Sequence, residues 1–274
     1  MSSAIANEDL SEPAGIPPVE VGTMLFTMVE PHAGRVVAYN DWYERDHQFG
    51  GATLGAHFFS NRRWVATRAL KKLRFPASDG IIDDVSQGSF LATYWKEKGA
   101  EEEAEDWARG QWHWLNARGR ISSDRDHVHT ADYRLLSVTR QQQERVPLEL
   151  ALLHPFKGLL VTMISKPTDA QEGVVAQLEA IASETVVDNG VALLSTWEKT
   201  WPGGFRGEQV LVPTASKDEP VLLQMGFLRE EPEHSWHAVR AYAARVESET
   251  EQEIRFASGF VPTVPGTTER LDEI

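Results

Sequence analysis

The order of strand-like and helix-like segments is the same in the two halves of this chain, and this repetition restricts the possible folds more than any other feature. The first copy runs strand 23–29, helix near 40–47, strands 62–68 and 89–95, helix 101–116 and strand 133–138. The second runs strand 158–164, helix 169–187, strands 191–197 and 221–227, helix 235–247 and strand 254–260. An internal repeat indicates supersecondary units that must cover one another's apolar faces. The sequence therefore predicts two β-α-β-β-α-β units.

This order of elements is the ferredoxin-like order. The first and third strand-like runs of each copy are apolar at nearly every position instead of alternating, which is typical of strands covered on both faces. One face would contact the helices of its own copy, and the other would contact the opposite copy. We therefore predict an α+β fold in which two ferredoxin-like repeats pack sheet to sheet as a barrel within one chain, helices outside. Such a pair of sheets could enclose a cavity for a small molecule.

Composition changes along the chain suggest where the repeats begin and end. We predict a disordered tail over residues 1–19, because this segment is polar, acidic and contains prolines. Repeat one would cover 20–140 and repeat two 156–264, joined by a linker at 141–155 that begins with polar residues and can include a short helix or strand. Residues 265–274 would form a second, solvated tail. A loop rich in turn-forming residues begins at Trp201.

Composition also excludes several classes of function. The chain has 274 residues, a formal net charge of −14 and no cysteine. The negative charge argues against nucleic acids and anionic membranes, and the absence of cysteine excludes disulfides, thiolate nucleophiles and cysteine-based metal sites. No apolar run approaches the roughly 20 residues of a membrane span. We expect a cytoplasmic protein whose partner is a small-molecule substrate, without nucleic acid or membrane, and which could form a homodimer.

The sharpest local motif lies in the first helix of repeat one, Asp41-Trp-Tyr-Glu-Arg-Asp-His47. Tyr43 and His47 are four residues apart and so share a helix face. An imidazole titrates near neutral pH and a phenol can donate to an oxyanion, so the pair could carry out acid–base chemistry beside a cavity. A purely structural role at the barrel mouth is the alternative.

This helix, followed by a glycine-containing turn and Arg62-Arg-Trp64, resembles the dimeric α+β barrel superfamily, particularly its EthD-like proteins. The resemblance implies one functional pocket in repeat one, with repeat two as its wall, because repeat two has no Trp-Tyr-x-x-x-His motif. The usual His-x-Pro continuation of the family motif is missing, since His47 is followed by Gln48-Phe49-Gly50. The superfamily includes monooxygenases, cyclases, isomerases, lyases and haem proteins, so the resemblance does not fix a reaction.

Further candidate residues interrupt apolar strands. Arg63 could face inward and hold a carboxylate or enolate, or lie at the surface with its stem packed. Tyr94 could line the cavity or pack in the core, and the amide of Gln224 needs buried partners. We assign Arg63 with His47 and Tyr43 to catalysis. The residues assigned to substrate binding are Trp42, Trp64, Tyr94 and Gln224.

Two other patterns favour structural roles. Trp107, Gln111 and Trp114 share a stripe of the second helix, which we assign to the core between helix and sheet. The pair His127 and His129 would point the same way on a regular strand, as metal ligands can, but no third ligand is evident and we predict no metal site.

These observations favour an enzyme that transfers a proton next to a carbonyl or phenol of a small apolar, aromatic or polyketide-like compound. It would be a cyclase, an isomerase, a lyase or a monooxygenase, working without a cofactor. His47 would be the general base, Tyr43 its partner, and Arg63 or Gln224 the oxyanion stabiliser. The alternatives are a non-catalytic or stress-related barrel that only binds a small ligand, and a haem-binding barrel. No proximal histidine motif for haem is recognisable in the sequence.

Overall fold

The structure is a computed structural model that describes residues 19–166, 171–201 and 214–274. Most of the predicted N-terminal tail and of the turn-rich loop after Trp201 lies outside the described residues.

The elements follow the predicted order. The eight strands are β1 (Val21–Pro31), β2 (Phe58–Val65), β3 (Phe90–Glu97), β4 (Arg125–Arg140), β5 (Gly158–Ser165), β6 (Val191–Trp201), β7 (Val221–Leu228) and β8 (Ile254–Pro262). The α-helices are α1 (Val36–Trp42), α2 (Arg68–Leu73), α3 (Glu101–Asn116), α4 (Leu148–Ala151), α5 (Gln171–Ala182) and α6 (Trp236–Glu249). Strand β2 ends earlier than predicted, because the side chain of Thr67 accepts a hydrogen bond from the Leu70 amide and caps α2.

The strands form one closed antiparallel barrel in the order β1-β3-β2-β8-β5-β7-β6-β4. Each half contributes four neighbouring strands in the same relative order, fourth–first–third–second, which is the order of a ferredoxin-like sheet. The halves meet along a long β4–β6 ladder and a short β2–β8 contact, where Trp64 pairs with Pro262 and Val65 with Val261. The predicted α+β barrel of two ferredoxin-like units in one chain is confirmed.

The interior of the barrel is a packed core rather than the cavity expected between the two sheets. All eight strands direct one face into a common apolar cluster. Its largest buried side chains are Trp64, Trp95, Trp197, Tyr133, Phe26, Phe227, Phe256 and Phe260. Rings from opposite halves contact there, with the Trp95 and Trp197 centroids 6.3 Å apart. Aromatic side chains of this size occupy the space that a ligand would need.

The outer face of each sheet carries a second layer of helices. Helices α5 and α6 cover repeat two through buried residues such as Leu178, Trp236 and Tyr242. In repeat one, α1, the residues that follow it and α3 cover the sheet through Tyr39, Tyr43 and Ala104. Functional space in this architecture is therefore expected between a sheet and its helices. Within the part of the chain that the structure describes, no helix is long and apolar enough to cross a membrane.

We expect Trp95→Ala to lower the free energy of unfolding by about 3–5 kcal/mol, because it removes a fully buried ring from the barrel core. Trp114→Ala is the matched control, since that side chain is 41% exposed and its loss should cost about 0.5 kcal/mol. Urea unfolding of both variants measures the difference. Equal losses would contradict a packed interior.

Candidate functional site

A chamber of about 150 Å³ lies in repeat one, between the outer face of β1, β3 and β4 and the covering helices. Its apolar walls are Leu25, Ala52, Ala108, Trp112, Leu115 and Ile121. Its polar walls are Thr27, His47, Tyr94, Arg125, His127 and Thr130. An apolar cavity of about 150 Å³ can hold a benzene-sized molecule. The chamber therefore has room for one small ring.

A recess of about 20 Å³ adjoins the chamber on its polar side. Thr27, His47, Arg125 and His127 line both spaces, so they form the boundary between them. The recess ends at Arg63 and the rings around it. Its volume suits a water molecule or one small polar group of a ligand.

The helical segment after α1 places Tyr43 and His47 at this boundary. Residues Tyr43–His47 and Phe49–Thr53 form two π-helical turns, a rare geometry that is frequent at functional sites. The rings of Tyr43 and His47 have centroids 5.7 Å apart, and the Trp42 ring stacks on the imidazole at 4.5 Å. The prediction that Tyr43 and His47 share a helix face is therefore confirmed.

Glycine is required opposite the imidazole. A Cβ atom at Gly51 would lie 2.9 Å from Cε1 of His47, which is closer than such atoms approach. The ring of His47 therefore packs against bare backbone on one side and against Trp42 on the other.

His47 is held in the neutral form. Burial, and after it the nearby positive charge of Arg125, lowers the pKa of its imidazole to about 3, against the opposing effect of Asp46. Its Nδ1 atom is buried and has no hydrogen-bond partner among the residues that the structure describes. A buried polar atom without a partner is costly, so this nitrogen is available to a ligand or a bound water.

A pair of phenols lies beside His47. The hydroxyl groups of Tyr43 and Tyr94 share a short hydrogen bond, and both side chains are buried. Burial raises the pKa of both phenols, most strongly that of Tyr43, whose ionisation the neighbouring tyrosines also oppose. Both remain protonated at neutral pH, so either hydroxyl can be the one that donates to the other.

Arg63 faces inward, and its side chain is only 3% exposed. The guanidinium carbon lies 4.0 Å from the centroid of the Phe90 ring and 4.4 Å from that of Tyr43. Nη1 donates to Oδ1 of Asn40 at 2.5 Å and lies 3.7 Å from a carboxylate oxygen of Glu44. Its Nε and Nη2 atoms are buried, and no described residue is a hydrogen-bond partner of either. Arg63 is thus a buried cation with two unused donors at the end of the recess.

A β-bulge separates the two histidines of the His127–His129 pair. Met28 pairs with His129 and Val29 with His127, so Val128 is an extra residue on β4. His127 consequently lines the chamber, whereas His129 points into the barrel and contacts the Tyr133 hydroxyl through Nε2 at 2.7 Å. Burial and Arg125 lower the pKa of His127 to about 4. The expectation that both imidazoles face one way is wrong, because the bulge reverses the alternation.

The structure brings together some of the predicted residues and separates others. Tyr94 lines the chamber, and Trp42 reaches it indirectly through its stack on His47. Trp64 lies in the barrel core beside Phe227, on the other face of the sheet. Gln224 lies in repeat two, where it accepts a hydrogen bond from the Tyr242 hydroxyl at 2.7 Å. The equivalent space there is only about 10 Å³, so the described part of repeat two has no comparable chamber.

Of the residues that line the chamber, sequence reasoning assigned only His47 and Tyr94 to the site, and it missed Trp112, Arg125 and His127 among the others. It also placed the buried stripe of α3 wrongly, because the large rings of Trp107 and Trp114 were taken to mark it. Trp114 is 41% exposed, whereas Ala104 and Leu115 are buried. The spacing of Ala104, Ala108 and Leu115 was the signal that could have identified the inner face.

Comparisons with known proteins show the fold. No family model and no curated protein matches the chain. A solved structure provisionally named a chlorite dismutase aligns over 93% of this chain and 100% of its own, with TM-score 0.51 and 6% identity. A dye-decolorizing peroxidase from Bacteroides thetaiotaomicron aligns over 91% and 96%, with TM-score 0.48 and 10% identity. A heme-binding protein from Thermus thermophilus aligns over 90% and 94%, with TM-score 0.42 and 11% identity.

These neighbours show the fold alone, so the assignment to the dimeric α+β barrel superfamily, and to its EthD-like proteins, stays a prediction. The prediction that the protein has no cofactor is contradicted, because one of these solved structures is named a heme-binding protein. The residues of this chain do not fit a haem as they stand, since a chamber of about 150 Å³ has room for one small ring and a porphyrin contains four.

The neutral state of His47 predicts an acid-sensitive contribution to stability. Its folded pKa of about 3 lies below its unfolded value, so the unfolded chain takes up the proton first as the pH falls. As the pH falls, the free energy of unfolding begins to decrease near pH 6.5, by about 1.4 kcal/mol per pH unit, until the folded pKa is reached. His47→Gln should remove this contribution to the pH dependence of the free energy of unfolding between pH 6 and 4, which urea unfolding measures. Trp42→Phe should retain it, and identical slopes for wild type and His47→Gln would refute the assignment.

Proposed function

We propose that this protein binds a small, largely apolar or aromatic molecule in the chamber of repeat one and transfers a proton to or from it through His47. The observation that carries the proposal is the unpartnered, buried Nδ1 atom of His47 at the wall of a ring-sized space. A few polar groups converging on an apolar pocket are typical of small-molecule sites.

The proposed chemistry is proton transfer next to a carbonyl or phenol group. A neutral imidazole can accept a proton, and Tyr94 presents a phenol to the same chamber. The low pKa of His47 makes it a weak base in the free protein, since Arg125 and burial oppose its charged form. Negative charge developing on a bound molecule would favour the imidazolium, so basicity would rise as the reaction proceeds. Arg63 lies beside Tyr43 in the wall of the recess, and its positive charge would stabilise that negative charge.

Binding to the chamber is tested with benzyl alcohol, a neutral compound of one ring. We expect a Kd on the order of 1 mM, in keeping with so few heavy atoms. Ala108→Trp fills the chamber and should weaken binding at least about tenfold, a loss of about 1.4 kcal/mol. Ala241→Trp, an exposed position of α6, is the matched control and should bind as wild type does. The measurement is titration by protein NMR, and unchanged binding by Ala108→Trp would place the ligand elsewhere.

For any compound that the protein converts, we expect His47→Ala to lower kcat about 100-fold or more, the usual effect of losing a general acid or base. Gly51→Ala, at another residue of the chamber wall, keeps the imidazole but pushes against it, so it should also lower kcat. Steady-state kinetics together with melting temperatures provide the test. If folded His47→Ala keeps full activity, His47 is not the general acid or base, and only the binding part of the proposal remains.

A haem-binding role is separated from this proposal by the visible absorption spectrum. Purified protein is measured alone and after addition of haemin in equal amount. A stoichiometric Soret band that disappears in Ala108→Trp would assign haem to the chamber in place of the small ligand.

A further inference from the structure

The boundary between chamber and recess holds more positive than negative charge. Arg125 and Arg63 both line the recess, and Arg125 also lines the chamber. Among the described residues, no carboxylate lies within ion-pairing distance of Arg125, which donates to the Ser122 carbonyl and lies 4.7 Å from the Trp42 ring. Glu44 is the acidic neighbour of Arg63, at 3.7 Å. One guanidinium therefore has no carboxylate to balance it.

The remaining polar groups cannot supply that negative charge. His47 and His127 are neutral, and the phenols of Tyr43 and Tyr94 stay protonated because burial raises their pKa. A buried cation without a counter-ion favours binding of an anion, and a guanidinium fork matches the two oxygens of a carboxylate.

The chamber and the recess differ in size as well as in polarity. The chamber is walled mainly by Leu25, Ala108, Trp112 and Leu115 and has room for one ring. The recess has about 20 Å³, and two unused donors of Arg63 lie at its end. A molecule that satisfies both parts has an apolar ring and one short anionic group.

We infer that the natural ligand is a small aromatic carboxylate, with its ring in the chamber and its carboxylate bound by Arg125 at the boundary with the recess. This inference rests on the proposed function, because it uses the same chamber and names the class of molecule that enters it. The carboxylate would lie beside His47 and His127, whose unprotonated rings leave the guanidinium as the group that neutralises it.

The test compares benzoate with benzyl alcohol and acetate at pH 7, each titrated into the full chain and followed by protein NMR. We expect benzoate to bind at least tenfold more tightly than benzyl alcohol, and acetate to bind more weakly than either. Arg125→Gln should lower the affinity for benzoate at least tenfold and change that for benzyl alcohol less than threefold. Arg125→Lys should restore part of the benzoate affinity, because it returns the charge without the fork.

Arg240→Gln, at an exposed position of α6, makes the same change in net charge and should leave both affinities unchanged. If benzyl alcohol binds as tightly as benzoate in wild type, the inference is overturned while the proposed function stands. If neither ring compound binds, both are overturned. The wild-type comparison decides the question even if Arg125→Gln fails to fold.

Discussion

Closure of eight strands around a packed aromatic core is the constraint on which the rest of this structure depends. Once Trp64, Trp95 and Trp197 fill the barrel, the sheets can offer a ligand only their outer faces. Whether space exists there depends on how closely each pair of helices approaches its sheet. The site therefore lies in the layer between sheet and helices, and the outer face of the barrel forms one of its walls.

The two halves share a strand order, but their helices pack on the sheet with different amounts of space between them. In repeat two, Tyr242 of α6 donates to Gln224, and the helices close on the sheet until about 10 Å³ is left. In repeat one, two π-helical turns carry the chain over the sheet, and α3 contributes small residues such as Ala104 and Ala108. Small side chains on a covering helix leave a gap where large ones would fill it. Divergence between the repeats thus confines the chamber to one half.

Some site residues could be predicted because their relation is local. Tyr43 and His47 are one helical turn apart, so sequence spacing alone put them on the same face. His127 and Trp64 could not be placed in this way, since the face of a strand residue depends on register. One extra residue at Val128 moves His127 to the helix side, and the register of β2 puts Trp64 inside the barrel. Gln224 was wrongly grouped with His47 because nothing in the sequence measures the distance between repeats.

The sequence by itself determined the elements, their repeated order and the two-layered burial of the strands, because these follow from local hydrophobic patterns and turn signals. It also determined the charge and the absence of thiol chemistry. Tertiary structure alone decided that the barrel is filled, that the chamber lies outside it, and that Arg125, far along the chain, meets His47. The physical reason is that volume and charge balance depend on side chains brought together across long loops, and no periodicity along the chain encodes how those surfaces meet.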